Sequence, residues 1–142
     1  LLADAPEHEY NALYEFGGYL GLAFQLQDDY LDVYGDVAEF GKNIGGDIVA
    51  NKKTYMLIKA LELADPETRE ELWGWIEKKE FDHEEKIKAV TRIYDRLGIK
   101  EIAFAAIDKY LKMSRDILDK KEKLISTRRW MRSGIVKNKM KR

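Results

Sequence analysis

The sequence predicts an all-α fold, and three observations support this prediction. Apolar residues recur at spacings of three and four along most of the 142 residues, as they do on one face of a helix. Residues that cap helices stand at the starts of these segments. No segment alternates apolar and polar residues as a half-buried strand does, and the chain has only two prolines. The length suits one domain with a single hydrophobic core.

The first predicted helix runs from about Pro6 to about Tyr34. Asp4 offers a capping oxygen, and a proline suits the first turn of a helix. Three glycines between positions 17 and 21 lie inside this helix, and each costs about 1 kcal/mol relative to alanine. Such a cost implies that these positions need to be without side chains, either for close helix packing or for a ligand.

The remaining helices follow a loop over residues 35–51, whose glycines interrupt every helical period. The predicted segments and boundaries, in chain order, are a helix from about Lys52 to Ala64, a stop and new cap at Asp65-Pro66-Glu67, a capping box at Asp82 and Glu85, a helix end at Gly98, and a last helix from about Lys100 past Leu118.

The composition excludes several kinds of chemistry. The chain has no cysteine, which excludes disulfides, thiolate metal sites and a cysteine nucleophile. The two histidines, His8 and His83, are far apart in sequence, which argues against a histidine-based zinc site. No run approaches the roughly 18 apolar residues of a membrane span, so we expect no stable membrane insertion.

The charges are unevenly distributed, although the formal net charge is only −1. The last 20 residues carry eight basic side chains and no acidic one: Lys123, Arg128, Arg129, Arg132, Lys137, Lys139, Lys141 and Arg142. Such a segment can bind nucleic acid, a membrane surface or a phosphate group. We interpret residues 126–142 as a separate basic tail, solvated at the chain end, and expect no nucleic-acid partner.

The most informative segment is the apolar helix over residues 20–36, because it carries a polar stripe. Gln25, Asp28 and Asp32 recur at spacings of three and four, so they share one helix face. Asp29 lies beside them, and no lysine lies within a turn. Carboxylates this close repel one another and raise one another's pKa unless a cation is bound.

The donor set of this stripe, carboxylates without histidine or cysteine, suits Mg²⁺. Mg²⁺ keeps several waters and takes one or two carboxylates plus substrate phosphates. Asp28, Asp29 and Asp32 therefore form half of a site that a phosphorylated ligand would complete. An EF-hand does not fit, because the spacing is helical. A solvated acidic helix face is the alternative that these residues leave open.

The loop that follows contains glycines at 41, 45 and 46 and two lysines, Lys42 and Lys52. Glycine permits close backbone approach, and the lysines supply point charges for phosphate oxygens. The spacing is not that of a Walker P-loop. Alone, this pattern also fits a plain connection between helices. Placed after three aspartates, it predicts the second half of a diphosphate clamp.

Two runs within residues 21–54 carry a family resemblance: GLAFQLQDDYLDVYGD at 21–36 and GKNIGGDIVANKKT at 41–54. Together they resemble the second aspartate-rich region of the trans-isoprenyl diphosphate synthases, the polyprenyl synthetases that include farnesyl and geranylgeranyl diphosphate synthases. The resemblance implies that residues 1–125 form the C-terminal part of an isoprenoid-synthase-type helical bundle. The family's first aspartate-rich motif has no counterpart in this sequence.

The resemblance implies metal binding by the three aspartates. Asp28 would bind the Mg²⁺ on the allylic diphosphate. Asp32 would help directly or through a water molecule, and Asp29 is a weaker candidate.

The resemblance also implies substrate contacts outside the aspartates. Lys42 and Lys52 match the lysines that grip the allylic diphosphate. Phe24 and Gln25 match the pair that lines the reacting end of the allylic chain. Asp47 would orient the loop and its lysines.

The activity implied by the resemblance is that of a Mg²⁺-dependent prenyltransferase of isoprene biosynthesis. It condenses isopentenyl diphosphate with an allylic diphosphate by ionisation, condensation and elimination. The resemblance further implies a cytoplasmic protein that is a homodimer when complete. Because one aspartate-rich motif is missing, we expect the 142-residue chain alone to be inactive. The alternative is a non-catalytic helical subunit that pairs with a complete synthase.

Overall fold

The computed structural model describes residues 7–36 and 44–139, with every side chain in these ranges except those at positions 8 and 127–139. The helices in these ranges, in chain order, are α1 Glu7–Tyr34, α2 Gly46–Val49, α3 Tyr55–Leu63, α4 Pro66–Glu77, α5 His83–Arg96 and α6 Ile99–Lys139. No strand occurs in the described residues, and the prediction of an all-α fold is confirmed.

Two of the three side-chain N-caps in the described residues, Asp65 and Asp82, lie where the sequence predicts helix boundaries, and the third is Thr54. The side chains of Thr54, Asp65 and Asp82 each accept a hydrogen bond from the backbone N–H three residues later, at 2.8–3.2 Å. These bonds satisfy N–H groups that the first turn of a helix leaves without a partner. At the end of α5, Gly98 adopts a φ of 67°, the left-handed conformation that commonly ends a helix.

Two features of the loop before α3 differ from the expectation. Because Thr54 is the N-cap, α3 begins at Tyr55, and Lys52 lies in the irregular segment before the helix rather than in its first turn. The short helix α2 forms within the predicted loop. The carboxylate of Asp32 accepts a hydrogen bond from the first turn of α2 at Asp47, which stabilises this short helix.

The last helix is predicted to run past Leu118, and the backbone of α6 continues to Lys139. Leucine, lysine, arginine and methionine favour helix, and Gly134 is the first glycine after Gly98. The helical backbone therefore includes most of the basic segment that begins at residue 126. The side chains at 127–139 lie outside the described part of the chain, as do residues 140–142.

Contacts divide the chain into two compact units, one of Leu22–Asp108 and one of Leu1–Gly21 with Lys109–Arg142. The first unit contains a hydrophobic core that α2 to α5 and the start of α6 build. Its buried members are Ile48, Met56, Leu57, Ala60, Leu72, Val90, Ile93, Tyr94, Ile99 and Ala103. Tyr30 and Val33 pack against this core, which holds the last two turns of α1 beside α2.

The second unit is held by contacts between the start of α1 and the later part of α6. The rings of Tyr19 and Tyr110 stack with their centroids 6.2 Å apart. The ammonium of Lys121 donates a hydrogen bond to the carbonyl oxygen of Glu9 at 3.2 Å.

In the described ranges, no helix combines the length and the apolar content that a bilayer crossing requires.

Candidate functional site

Asp29 lies beside the polar stripe of α1, is buried, and binds Lys52. Its Oδ1 accepts a hydrogen bond from Lys52 Nζ at 2.9 Å and another from Gln25 Nε2 at 3.1 Å. The Asp29 side chain is 8% exposed and the Lys52 side chain 47% exposed. A buried carboxylate therefore anchors an ammonium group that remains open to solvent.

Asp47 is the second partner of this ammonium group. Lys52 Nζ donates to Asp47 Oδ2 at 3.0 Å, and the Lys52 backbone N–H donates to the Asp47 carbonyl oxygen at 2.9 Å. The hydrogen bonds to Asp29 and Asp47 raise the pKa of Lys52 above its ordinary value, so the group stays charged at neutral pH. An ammonium has three donors, and the described residues occupy two of them. The third can be donated to a ligand.

Asp32 ties α1 to the short helix α2. Its carbonyl oxygen accepts from the Gly45 N–H at 2.6 Å, and its Oδ2 accepts from the Asp47 N–H at 2.9 Å. Burial raises the pKa of Asp32 above its ordinary value, and the hydrogen bond from the Asp47 backbone opposes this rise. The same bonds bring the α1 carboxylates next to the segment that carries Lys52.

Asp28 differs from the other two aspartates because it is exposed. No hydrogen bond or ion pair joins it to another described residue. Phe24, one turn earlier on α1, is 56% exposed. Within the described residues, no three acidic or histidine side chains converge closely enough to hold a metal ion on protein ligands alone. Of the three aspartates predicted to bind metal, Asp28 thus has an open carboxylate, whereas the carboxylates of Asp29 and Asp32 already accept hydrogen bonds.

Two residues of this region escaped the sequence analysis, Asn51 and Lys86. Asn51 has a φ of 51°, and its amide joins α4 to the ammonium of Lys86. Lys86 shares a helix face with Val90 and Ile93, at spacings of four and seven. A lysine on an apolar helix face is the sequence signal that could have identified it. Asparagine tolerates the left-handed conformation, but nothing in the sequence shows where its amide points.

Of the predicted site residues, the structure brings together Gln25, Asp29 and Lys52, because Gln25 and Lys52 both donate to the Asp29 carboxylate. Phe24 and Asp28 are exposed on the same helix. The predicted substrate contact Lys42 lies outside the described residues. Asp47, which the resemblance assigns to orienting the loop and its lysines, contacts Lys52.

Comparison with known sequences supports the resemblance. The family model for polyprenyl synthetase matches residues 1–94. The short chain isoprenyl diphosphate synthase of Methanothermobacter thermautotrophicus is 34% identical over 119 residues, which cover 84% of this chain and 36% of that protein. The farnesyl pyrophosphate synthase of Candida albicans is 42% identical over 83 residues, which cover 58% of this chain and 22% of that protein. The chain thus spans about a third or less of these curated relatives.

Solved structures show the same likeness in three dimensions. A crystal structure of geranylgeranyl pyrophosphate synthase superposes with a TM-score of 0.74 at 35% identity, covering 84% of this chain and 37% of that one. The polyprenyl synthetase from Streptomyces coelicolor superposes with a TM-score of 0.73 at 26% identity, covering 83% of this chain and 36% of that one. Sequence and structure agree that the chain belongs to the polyprenyl synthetase family, the trans-isoprenyl diphosphate synthases.

Proposed function

We propose that this chain carries the allylic-diphosphate half-site of a prenyltransferase that uses isopentenyl diphosphate to extend an isoprenoid chain. The observation that carries the proposal is the Lys52 ammonium, which the buried carboxylate of Asp29 holds, while the neighbouring residue of α1, Asp28, keeps an exposed carboxylate. A fixed cation and an open oxygen donor, held by adjacent residues of one helix, suit a diphosphate that arrives with a divalent metal ion.

The carboxylates present fit a Mg²⁺ ion that takes most of its ligands from water and substrate. Asp28 has an exposed carboxylate with no partner among the described residues, which suits a principal ligand. Asp32 would be a second ligand, directly or through water, and Asp29 a weaker one because Lys52 and Gln25 already occupy its Oδ1. Bound there, Mg²⁺ would neutralise charge on the diphosphate leaving group.

The side chains of this chain would assist departure of the diphosphate in two ways. Lys52 donates its remaining N–H to a diphosphate oxygen, where negative charge grows as the carbon–oxygen bond of the allylic substrate breaks. Asp29 and Asp47 hold that ammonium in place beforehand, so little reorganisation is needed during the reaction. Lys42 would supply a second cation, and Phe24 would line the reacting end of the allylic chain.

The complete enzyme that we propose is a cytoplasmic homodimer, with residues 1–125 forming the C-terminal part of its catalytic bundle and 126–142 lying outside the site. A non-catalytic partner subunit is the competing function. Such a subunit has no need of metal ligands, whereas this chain keeps all three aspartates and Lys52. Retention of these residues favours the enzyme.

Calorimetric titration of the 142-residue chain with an allylic diphosphate tests the half-site directly. We expect binding that depends on Mg²⁺ and that Lys52→Gln weakens by about tenfold, which corresponds to about 1.4 kcal/mol. Lys53→Gln is the matched control. Lys53 is the next residue and is exposed, and its substitution removes the same charge. Binding that is independent of Mg²⁺, or equal losses in the two variants, would contradict the proposal.

A further inference from the structure

Lys86 is a buried lysine that the proposed mechanism does not use. It lies on α5 and is 1% exposed, on the same helix face as core residues Val90 and Ile93. Its Nζ donates to Asn51 Oδ1 at 2.7 Å and, more weakly, to the Val49 carbonyl oxygen at 3.5 Å. In the described part of the chain, no carboxylate pairs with it.

The groups around the Lys86 ammonium only partly replace water. The centroid of the Phe81 ring lies 4.1 Å from Lys86 Nζ, which gives some cation–π stabilisation. Burial nevertheless lowers the pKa of Lys86 below its ordinary value. An apolar side chain of similar length would avoid this cost, because replacing a buried charge by a well-packed apolar group is often neutral or stabilising. The presence of a lysine at this position is therefore better explained by its hydrogen bond to Asn51 than by a contribution to core stability.

Asn51 is the residue that Lys86 holds. Its backbone is in the left-handed region, with a φ of 51°. Its side-chain amide donates to the Ile76 carbonyl oxygen at 2.9 Å, near the end of α4, while its oxygen accepts from Lys86. One amide thus bridges α4 and α5, so the turn at Asn51 is fixed to two core helices.

Lys52 follows Asn51 directly, and its backbone is held on the other side as well. The Thr54 N–H donates to the Lys52 carbonyl oxygen at 2.8 Å. A small cavity of about 20 Å³, lined by Asn51, Lys52 and Lys86 among others, has room for about one water molecule. The anchored turn therefore determines where the Lys52 side chain leaves the backbone on its way to Asp29.

We propose that Lys86 and Asn51 are positioning residues that place the Lys52 ammonium for diphosphate binding. The proposal rests on the function proposed above for Lys52. Neither residue touches the ligand; Lys86 acts through Asn51, and Asn51 acts through the backbone of Lys52.

Lys86→Met is the main test, because methionine keeps most of the length and the apolar character of the lysine stem and removes the ammonium. Lys88→Met is the matched control: it removes the same charge from the same helix, at a side chain that is 69% exposed. Thermal unfolding of both variants verifies that they remain folded. Asn51→Gly is a second variant, since glycine keeps the left-handed backbone and deletes both side-chain bonds.

The first measurement is the ¹⁵N–¹H signal of the Lys52 ammonium in the 142-residue chain without ligand, assigned with Lys52→Arg. Hydrogen bonds to Asp29 and Asp47 protect the ammonium protons from exchange with water. We therefore expect the signal to shift or to broaden beyond detection in Lys86→Met and Asn51→Gly. It should remain in Lys88→Met. An unchanged Lys52 signal in both test variants would overturn the positioning role.

The second measurement is calorimetric titration with inorganic diphosphate in the presence of Mg²⁺. We expect Lys86→Met and Asn51→Gly to weaken binding by about fivefold or more, and Lys88→Met to remain within about twofold of the unmodified chain. Wild-type affinity in folded test variants would overturn the proposal. If the unmodified chain itself binds no diphosphate, the proposed function fails, whereas the Lys52 signal still decides whether Lys86 and Asn51 position Lys52.

Discussion

Asp28 and Asp29 are adjacent in sequence but differ in their surroundings. Successive residues of a helix are rotated by about 100°, so Asp29 turns toward the segment before α3 while Asp28 remains exposed. Lys52 and Gln25 satisfy the Asp29 carboxylate. In the proposed site, Asp28 serves the metal and substrate, and Asp29 serves the lysine.

Substitution of the two aspartates should separate these roles. In a complete enzyme built around this half, Asp28→Asn removes an open metal ligand and should lower turnover by about a hundredfold or more. Asp29→Asn removes a weaker metal ligand and chiefly weakens the support of Lys52, so it should lower turnover by about tenfold. Steady-state assays with saturating substrates give both values, and circular dichroism verifies that the variants fold. Equal losses of turnover would contradict the division between the two residues.

The buried ammonium of Lys86 should make stability depend on pH in the alkaline range. Burial lowers its pKa in the folded chain below the ordinary lysine value of 10.5. Between those two pKa values the unfolded chain binds more protons, so the free energy of unfolding that Lys86 contributes rises with pH. We expect the unmodified chain to gain stability relative to Lys86→Met between pH 7 and pH 10, measured by urea unfolding at both values. A difference that stays constant would mean that the lysine is not desolvated.

The segment between α1 and α3 owes its shape to a tight glycine turn at the start of α2. Gly45 has a φ of 88°, and a Cβ added there would lie 2.6 Å from Ile87 Cδ1. The glycine is needed for a close approach, as the sequence suggested, but the neighbour is a side chain of α5. The turn thereby packs the segment that carries Lys52 against the core unit.

Gly45→Ala should destabilise the chain by about 1–3 kcal/mol, because alanine is strained at positive φ and also meets Ile87. Gly74→Ala is the control: Gly74 lies inside α4, and nothing lies within 4 Å of the Cβ that the substitution adds. That variant should gain about 0.5–1 kcal/mol. Chemical unfolding measures both changes. A neutral Gly45→Ala would show that the turn adapts without cost.

Lys42 occupies the other end of this glycine segment, outside the described residues, and its role stays a prediction from the sequence. Lys42→Ala should weaken binding of an allylic diphosphate by about tenfold, because one cation is lost from the phosphate clamp. Binding of Mg²⁺ alone should be unchanged, since a lysine is not a metal ligand. Titrations with and without diphosphate distinguish the two effects. Unchanged diphosphate affinity would assign residues 41–44 to a plain connection.

Helix positions could be read from the sequence because their signals are local. The predicted caps at Asp65 and Asp82 each act over three residues, and the structure shows both bonds. The cap at Thr54 is equally local, but the helix start was predicted near Lys52 instead. The short helix α2 could not be read in this way. It depends on a hydrogen bond from Asp47 to Asp32, 15 residues earlier, which no local pattern reports.

For the candidate site, local sequence patterns identified most of the residues, but they did not determine which residues contact one another. The aspartates and Lys52 stand in a family motif, so their types and order were readable. The contact of Asp29 with Lys52 depends on how α1 packs against the segment before α3, and the contact of Lys86 with Asn51 depends on how α5 packs against it. These contacts join residues 23 and 35 positions apart, and side-chain periodicity within one helix does not determine them.

The chain as a whole contains only part of the charge stabilisation that the proposed reaction needs. Ionising an allylic diphosphate generates charge that is best stabilised where water is excluded, since electrostatic interactions weaken as the local dielectric rises. Here the carboxylate of Asp28 and about half of the Lys52 side chain are exposed. The chain also spans 36% of the Methanothermobacter thermautotrophicus relative. We therefore expect no turnover from these 142 residues alone.

Turnover before and after complementation tests the proposed half-site most directly. Residues 1–142 are assayed with Mg²⁺, isopentenyl diphosphate and an allylic diphosphate, first alone and then fused to the remaining part of the Methanothermobacter thermautotrophicus synthase, with Asp28→Asn in the fusion as control. We predict no prenyl diphosphate from the chain alone, steady formation by the fusion, and a loss of about a hundredfold or more in the control. Steady turnover by the isolated chain, or a folded fusion that forms product equally well with Asp28→Asn, would contradict it.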